Sequence, residues 1–200
     1  MSHPAEPVRD RGPDAPLPSP DVGTMGMYAL VVALGMLFAA SVVGYLAIRS
    51  MHQPWPPPGF PVLPRTLWLS TLAIVAASVA IQRAVAAAGR ADGSAARRNL
   101  LFTLALGLVF LALQSAAWMQ VVRQIEVSGA TGPYVKLFYV LTGLHAVHVL
   151  GGLGPLALVV RRAMAGPCDA RCSAGIRYSA IYWHFLDAVW CVLFAVIYLI

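Results

Sequence analysis

Asp187 is the only carboxylate within the long apolar stretches of this 200-residue chain. It stands three residues after His184 in the run Tyr182-Trp183-His184-Phe185-Leu186-Asp187-Ala188-Val189-Trp190. Residues three apart on a helix share a face. An ionisable group at bilayer depth costs at least ~2.5–3.5 kcal/mol and is as a rule paired and turned toward protein or water. Candidate partners lie in the preceding apolar stretch, Thr142-Gly143-Leu144-His145-Ala146-Val147-His148-Val149, where His145 and His148 share a face in the same way. Three chemistries are open to such a set. The four side chains could form a buried hydrogen-bonded cluster that fixes how the last two helices pack. Two histidines on facing helices could ligate a haem or copper. The cluster could relay protons, as intramembrane acids often do.

Helices must position these groups. The composition is 59% hydrophobic and only 11% charged, against ~25% charged in an average soluble domain. Several apolar runs are long enough for a ~30 Å hydrocarbon core, which needs ~20 helical residues, and alternating strand patterns are absent. The reading is an all-α polytopic membrane protein, a five-transmembrane-helix bundle with spans at about 24–48, 65–88, 99–122, 134–160 and 177–200. Residues 1–23 hold six prolines and few large apolar side chains; they read as a disordered tail ahead of one membrane domain, 24–200. The run behind them starts too late and is too long for a cleavable signal peptide.

A net charge of +6 does not signal nucleic acid, because the basic residues sit in short loops with no basic–aromatic surface. Orientation explains them. With the N-terminus inside, Arg9, Arg11, Arg83, Arg90, Arg97, Arg98, Arg161, Arg162, Arg171 and Arg177 are cytoplasmic, and only Arg49, Arg65, Arg123 and Lys136 are outside. The positive-inside rule therefore puts the N-terminus in the cytoplasm and the C-terminus outside. His148 then lies about 18 Å from the inner end of its span and Asp187 about 14 Å from the inner end of its own, a depth match within ~5 Å that allows an Asp187–His148 contact. No internal repeat supports a transporter built on inverted repeats. Cys168 and Cys172 fall in a cytoplasmic loop, where thiols are expected reduced, and that loop offers too few ligands for a metal.

The two histidine-bearing runs resemble subunit III of the haem-copper respiratory oxidases, the cytochrome c and quinol oxidases. That family has Thr-Gly-x-His-x-x-His-Val in its penultimate helix and Tyr-Trp-His-Phe-x-Asp-x-Val-Trp in its last. Leu63-Pro64-Arg65-Thr66-Leu67-Trp68-Leu69-Ser70 resembles its Pro-x-x-Asn-Thr-x-x-Leu pattern, with Arg65 for the usual Asn, and Phe110-Leu111-Ala112-Leu113-Gln114 its Phe-x-x-x-Gln. The likeness covers about residues 24–200 and fits the five-helix form. It implies an accessory, non-catalytic subunit of a proton-pumping terminal oxidase of aerobic electron transport, in a bacterial cytoplasmic membrane. It further implies no cofactor in this chain, haem and copper in partner subunits I and II, bound phospholipid in a groove, and a structural role for His145, His148, His184 and Asp187. One departure stands out. The family's Ser-Glu pair in the first of these helices reads here as Ser41-Val42, so the carboxylate associated with proton collection is missing. A subunit III-like protein of a nitric oxide reductase system is therefore the alternative within the family, and an independent haem-binding redox anchor or small transporter the alternative outside it.

Other features read as packing. Gly151, Gly152 and Gly154 suggest close helix approach, and Pro155 a kink. Gln114 is expected to donate to a neighbouring carbonyl. Trp68, Trp118 and the tyrosines are interface anchors or packing aromatics.

Overall fold

A computed structural model describes residues 22–52, 54–57, 63–129 and 132–198. Five helices follow one another: α1 (Val22–Met51), α2 (Thr66–Gly89), α3 (Gly93–Ser128), α4 (Pro133–Ala165) and α5 (Ala170–Tyr198). Each is long and apolar enough to cross a membrane, and no strand occurs among the described residues. The tail expected over 1–23 lies outside the described residues except for Val22 and Gly23, which already belong to α1.

Helix ends overshoot the expected spans because capping groups carry the helix through the polar turns. Asp92 caps α3 by accepting from the Ala95 amide at 3.0 Å, so α3 begins at Gly93 instead of residue 99. Its far end closes on Gly129, whose φ of 67° is the left-handed conformation that glycine adopts most readily. Pro133 opens α4, where its missing amide hydrogen costs nothing. Pro155 sits inside that helix. Asp169 accepts from the Cys172 amide at 2.7 Å, which starts α5 at Ala170, seven residues ahead of the expected 177. At 36 residues, α3 is about 54 Å long, so it must tilt or project beyond the hydrocarbon core.

Helices α2, α3, α4 and α5 close a ring in which α2 packs on α3 and α5, and α4 on α3 and α5. Helix α1 lies outside the ring and touches only α4 and α5. In its most apolar stretch 11% of residues are buried, against 33–44% in the other four, so α1 is a peripheral strut. The ring core holds Trp183, Trp190, Phe110, Ile74, Ile81 and Leu186. Glycine admits the largest of these: a Cβ on Gly107 would lie 2.6 Å from Trp183 Cη2. Likewise a Cβ on Gly152 would meet Tyr182 Cε1 at 2.6 Å, whereas Gly151 and Gly154 face open space. Of the three glycines expected to permit close approach in α4, one does so.

Candidate functional site

Helix α5 presents His184 and Asp187 to α2. His184 Nε2 lies 3.0 Å from Gln82 Oε1, and Ser78 Oγ lies 2.6 Å from His184 Nδ1. An amide oxygen can only accept, so this geometry fits the tautomer in which Nε2–H donates to Gln82 and Nδ1 accepts from the Ser78 hydroxyl. Asp187 shares the same shallow groove with Ser78, Gln82, Arg83 and His184. Ser78 has one proton to give. Its hydroxyl also lies within hydrogen-bond reach of the Asp187 carboxylate, whose Oδ1 is nevertheless buried with no hydrogen-bond partner among the described residues. One and a half turns further along, Trp190 Nε1 donates to Thr71 Oγ1 at 2.9 Å. The α2–α5 seam is thus a ladder of polar ties whose outer side, at His184, is exposed on the bundle surface.

The histidines of α4 behave differently. His148 donates from Nδ1 to the Leu144 carbonyl at 2.7 Å, a bond within its own helix, and its carbonyl accepts from Tyr182 Oη at 3.0 Å. His145 is fully buried, and neither ring nitrogen has a hydrogen-bond partner among the described residues. Aromatic rings enclose it: Trp190 at 5.2 Å between centroids, Phe110 at 5.6 Å and Phe38 at 6.2 Å. The Phe110 ring stands at 84° to the imidazole, a T-shaped contact of the kind aromatic quadrupoles favour.

The four residues singled out in the sequence therefore do not form one hydrogen-bonded cluster, and no bond joins Asp187 to His148. Rotation about the α5 axis sends Asp187 toward α2, away from α4. Helix spacing fixes which residues share a face, not which neighbour that face meets. Sequence reasoning missed Ser78 and Gln82, although two polar residues four apart in the apolar α2 were a usable signal. Thr142 was seen only as a motif letter, and Tyr182 as an anchoring or packing aromatic. Thr142 accepts from Trp118 Nε1 at 3.0 Å and ties α3 to α4.

Two further expectations are corrected. Gln114 donates to no carbonyl among the described residues, where both polar atoms of its buried amide lack a partner. Cys168 and Cys172 are joined by a disulfide, with their Cα atoms 5.3 Å apart. The Asp169 cap is the reason, since it folds the loop back so that Cys168 lies over the first turn of α5. Val42 is part of α1 and packs beside Phe38 and Tyr45, and α1 contains no acidic residue. Among the described residues no group of three or more histidines, cysteines or carboxylates is placed to hold a metal ion.

Fold and site together define a polytopic α-helical membrane subunit in which polar side chains tie helices together and aromatic rings fill the interior. The family described as cytochrome c oxidase subunit III matches residues 23–200. Among its relatives, cytochrome c oxidase subunit 3 of Thermostichus vulcanus is 30% identical over 90% of this chain and 89% of its own length. The protein of the same name from Synechocystis sp. is 32% identical over 90% and 77%. A probable cytochrome c oxidase subunit 3 of Mycobacterium bovis is 34% identical over 90% and 89%. The chain belongs to the cytochrome c oxidase subunit III family and is an accessory subunit III of a haem-copper oxidase. Nothing in the fold or the comparisons favours the nitric oxide reductase, redox-anchor or transporter readings.

Proposed function

We propose that this chain docks through its α2–α5 face on the catalytic, haem-bearing subunit I of the oxidase, beside the copper-bearing subunit II, and stabilises the turnover-competent complex without carrying a redox centre itself. The observation that carries this reading is Asp187. Its Oδ1 is buried with no hydrogen-bond partner among the described residues, and a carboxylate at membrane depth needs donors from protein or water. A polar group on a neighbouring subunit would meet that need. The membrane is the bacterial cytoplasmic membrane, with the α2–α3 and α4–α5 turns in the cytoplasm, since Arg83, Arg90, Arg97 and Arg98 cluster at the first and Arg161, Arg162, Arg171 and Arg177 at the second. The groove between α1 and the α4–α5 pair, about 400 Å³ and lined by Met27, Leu30, Gly152, Pro155 and Tyr178, suits the phospholipid expected of the family. With Val42 in place of a glutamate, proton collection by this subunit is weak.

The test is affinity purification of the tagged chain from native membranes, followed by visible spectra of the complex and of the separated polypeptide. A co-purifying haem-bearing core and a spectrally silent separated chain are expected. Stoichiometric haem on the isolated chain would instead make it a redox anchor. Labelling of a cysteine placed at Arg97 from the outer face of intact cells would overturn the orientation.

A further inference from the structure

A second groove runs along the membrane face of the α2–α3 hairpin, away from α1. It encloses about 720 Å³, and its mouth near the turn is lined by Arg83, Arg90, Arg98 and Asn99. The floor below is apolar, with Ala76 and Ala80 from α2 and Phe102 and Leu106 from α3. The two helices run antiparallel about the turn at Ala91–Asp92, so Arg83 stands opposite Arg98, Ala80 opposite Phe102 and Ala76 opposite Leu106. Arg83 lies six residues before the end of α2 and Arg98 five after the start of α3, which places both about 8–9 Å below the turn. That is headgroup depth, whereas Ala76 and Leu106 lie about another 10 Å toward the bilayer centre.

Most of the charge in this groove is unanswered by the chain, with only Arg90 near enough to the Asp92 carboxylate to feel it. All three arginines are exposed, no carboxylate lines the groove, and neither Arg83 nor Arg98 has a hydrogen bond or ion pair among the described residues. The nearby Asp92 is already engaged by the Ala95 amide and the Ser94 hydroxyl. Guanidinium groups bind phosphate in a bidentate fork, and basic pockets between membrane helices suit anionic lipid headgroups. A free phosphate would use the arginines and leave the apolar floor bare. Short alanine side chains on α2 leave a trough for an acyl chain, and Phe102 and Leu106 give it a wall. We propose that the α2–α3 hairpin carries a binding site for one anionic phospholipid, its phosphate held by Arg83, Arg90 and Arg98 and one acyl chain lying along Ala76, Ala80, Phe102 and Leu106.

This groove meets the α2–α5 groove at Val79, Arg83 and Ala86, which line both. The lipid would therefore sit at the rim of the proposed docking face, but the proposal does not depend on that docking. The experiment uses the intact complex in nanodiscs containing phosphatidylglycerol or phosphatidylcholine with a photoreactive group on the acyl chain, and labelled peptides are mapped by mass spectrometry. Preferential labelling of the Ala76–Ala80 and Phe102–Leu106 peptides by the phosphatidylglycerol probe is expected, and inorganic phosphate should not compete. Each basic residue near the membrane surface contributes a factor of about five in affinity for anionic lipid, so R83Q/R98Q should weaken that labelling about 25-fold, while R83K/R98K keeps most of it. Equal labelling by the two probes would overturn the proposal, as would labelling unchanged in R83Q/R98Q. So would absence of labelling in the wild-type complex combined with loss of a partner subunit from R83Q/R98Q, which would assign the arginines to a protein contact. Failure of the haem test above, with labelling intact, would leave the lipid site standing and remove only the oxidase reading.

Discussion

His145 and His184 occupy equivalent places in their motifs, each followed three residues later by a second ionisable group, yet they are accommodated in opposite ways. His184 lies at the surface of the bundle and uses both ring nitrogens, one toward Ser78 and one toward Gln82. His145 lies at the centre and uses neither; three aromatic rings surround it instead. The outer seam gives up apolar contact for specified partners, and the interior gives up hydrogen bonds for dense aromatic packing. Trp190 belongs to both regions: its ring faces His145, and its indole N–H bonds Thr71 on α2. The stability of the chain therefore resides mostly in the interior, while on the docking reading proposed above specificity toward a neighbour resides on the seam.

The hardest blow to that comparison falls on Trp190. Truncation of Trp190 to alanine removes a fully buried ring and should cost about 3–5 kcal/mol, enough to deplete the subunit from membranes. Trp190→Phe keeps a ring, losing the bond to Thr71, which in membranes averages ~0.6 kcal/mol, and only part of the buried ring volume. Heat resistance of the purified complex ranks the two. Equal losses would mean that the seam bond, and not the interior ring, dominates.

Asp187→Ala comes next. Leaving a buried partner without its mate costs ~1–3 kcal/mol, and on our reading that partner belongs to the neighbouring subunit. Co-purified yield and heat resistance should fall while the electron-transfer rate per assembled complex holds. A complex that assembles at wild-type yield while proton uptake collapses would move Asp187 from scaffold to proton relay and erase the distinction drawn for the seam.

What the sequence disclosed follows from this division. The five helices were legible because each carries some twenty apolar residues between polar turns, a signal set by bilayer thickness. Their ends were not, since Asp92 and Asp169 extend helices into segments whose composition reads as loop. The motifs showed that His184 and Asp187 share a face, and this holds. Which helix that face meets depends on the rotation of α5 about its axis, and that is decided by distant packing such as Trp183 against Gly107 and Tyr182 against Gly152. Partnerless burial, as at His145 and Gln114, leaves no trace in spacing at all.

A smaller effect is expected at His145. Its imidazole makes no hydrogen bond, so replacing it by leucine removes a desolvated polar group and some ring contact together. Swapping a buried polar group for an apolar one of similar volume is nearly neutral or stabilising, and His145→Leu should change heat resistance by less than about 1 kcal/mol. His184→Leu, which strands Ser78 and Gln82, should do more harm. The reverse order would show that His145 has a polar partner in the assembled complex.

The smallest effect tests a third way of satisfying a polar group, outside the membrane. Asp92 accepts from the Ala95 amide and the Ser94 hydroxyl, and these two bonds, the amide first, hold its carboxyl below the usual 3.8. A folded-state pKa lower than the unfolded one means that the charged cap favours the folded turn. That contribution is complete above the unfolded value and is lost as pH falls through the lower folded value. Protection of the Ala95 amide from hydrogen exchange, corrected for its intrinsic rate, should therefore hold at neutral pH and drop only in acid below the ordinary carboxylate range. Asp92→Asn keeps an acceptor oxygen, and asparagine caps about as well as aspartate, so most of the protection should remain while its acid dependence disappears. An Asn variant that still loses protection in acid would locate the titrating group elsewhere at the α2–α3 turn. Unlike Asp187, whose buried Oδ1 finds no partner among the described residues, Asp92 finds both donors within three residues, and the exchange profile measures what such a local solution is worth to the fold.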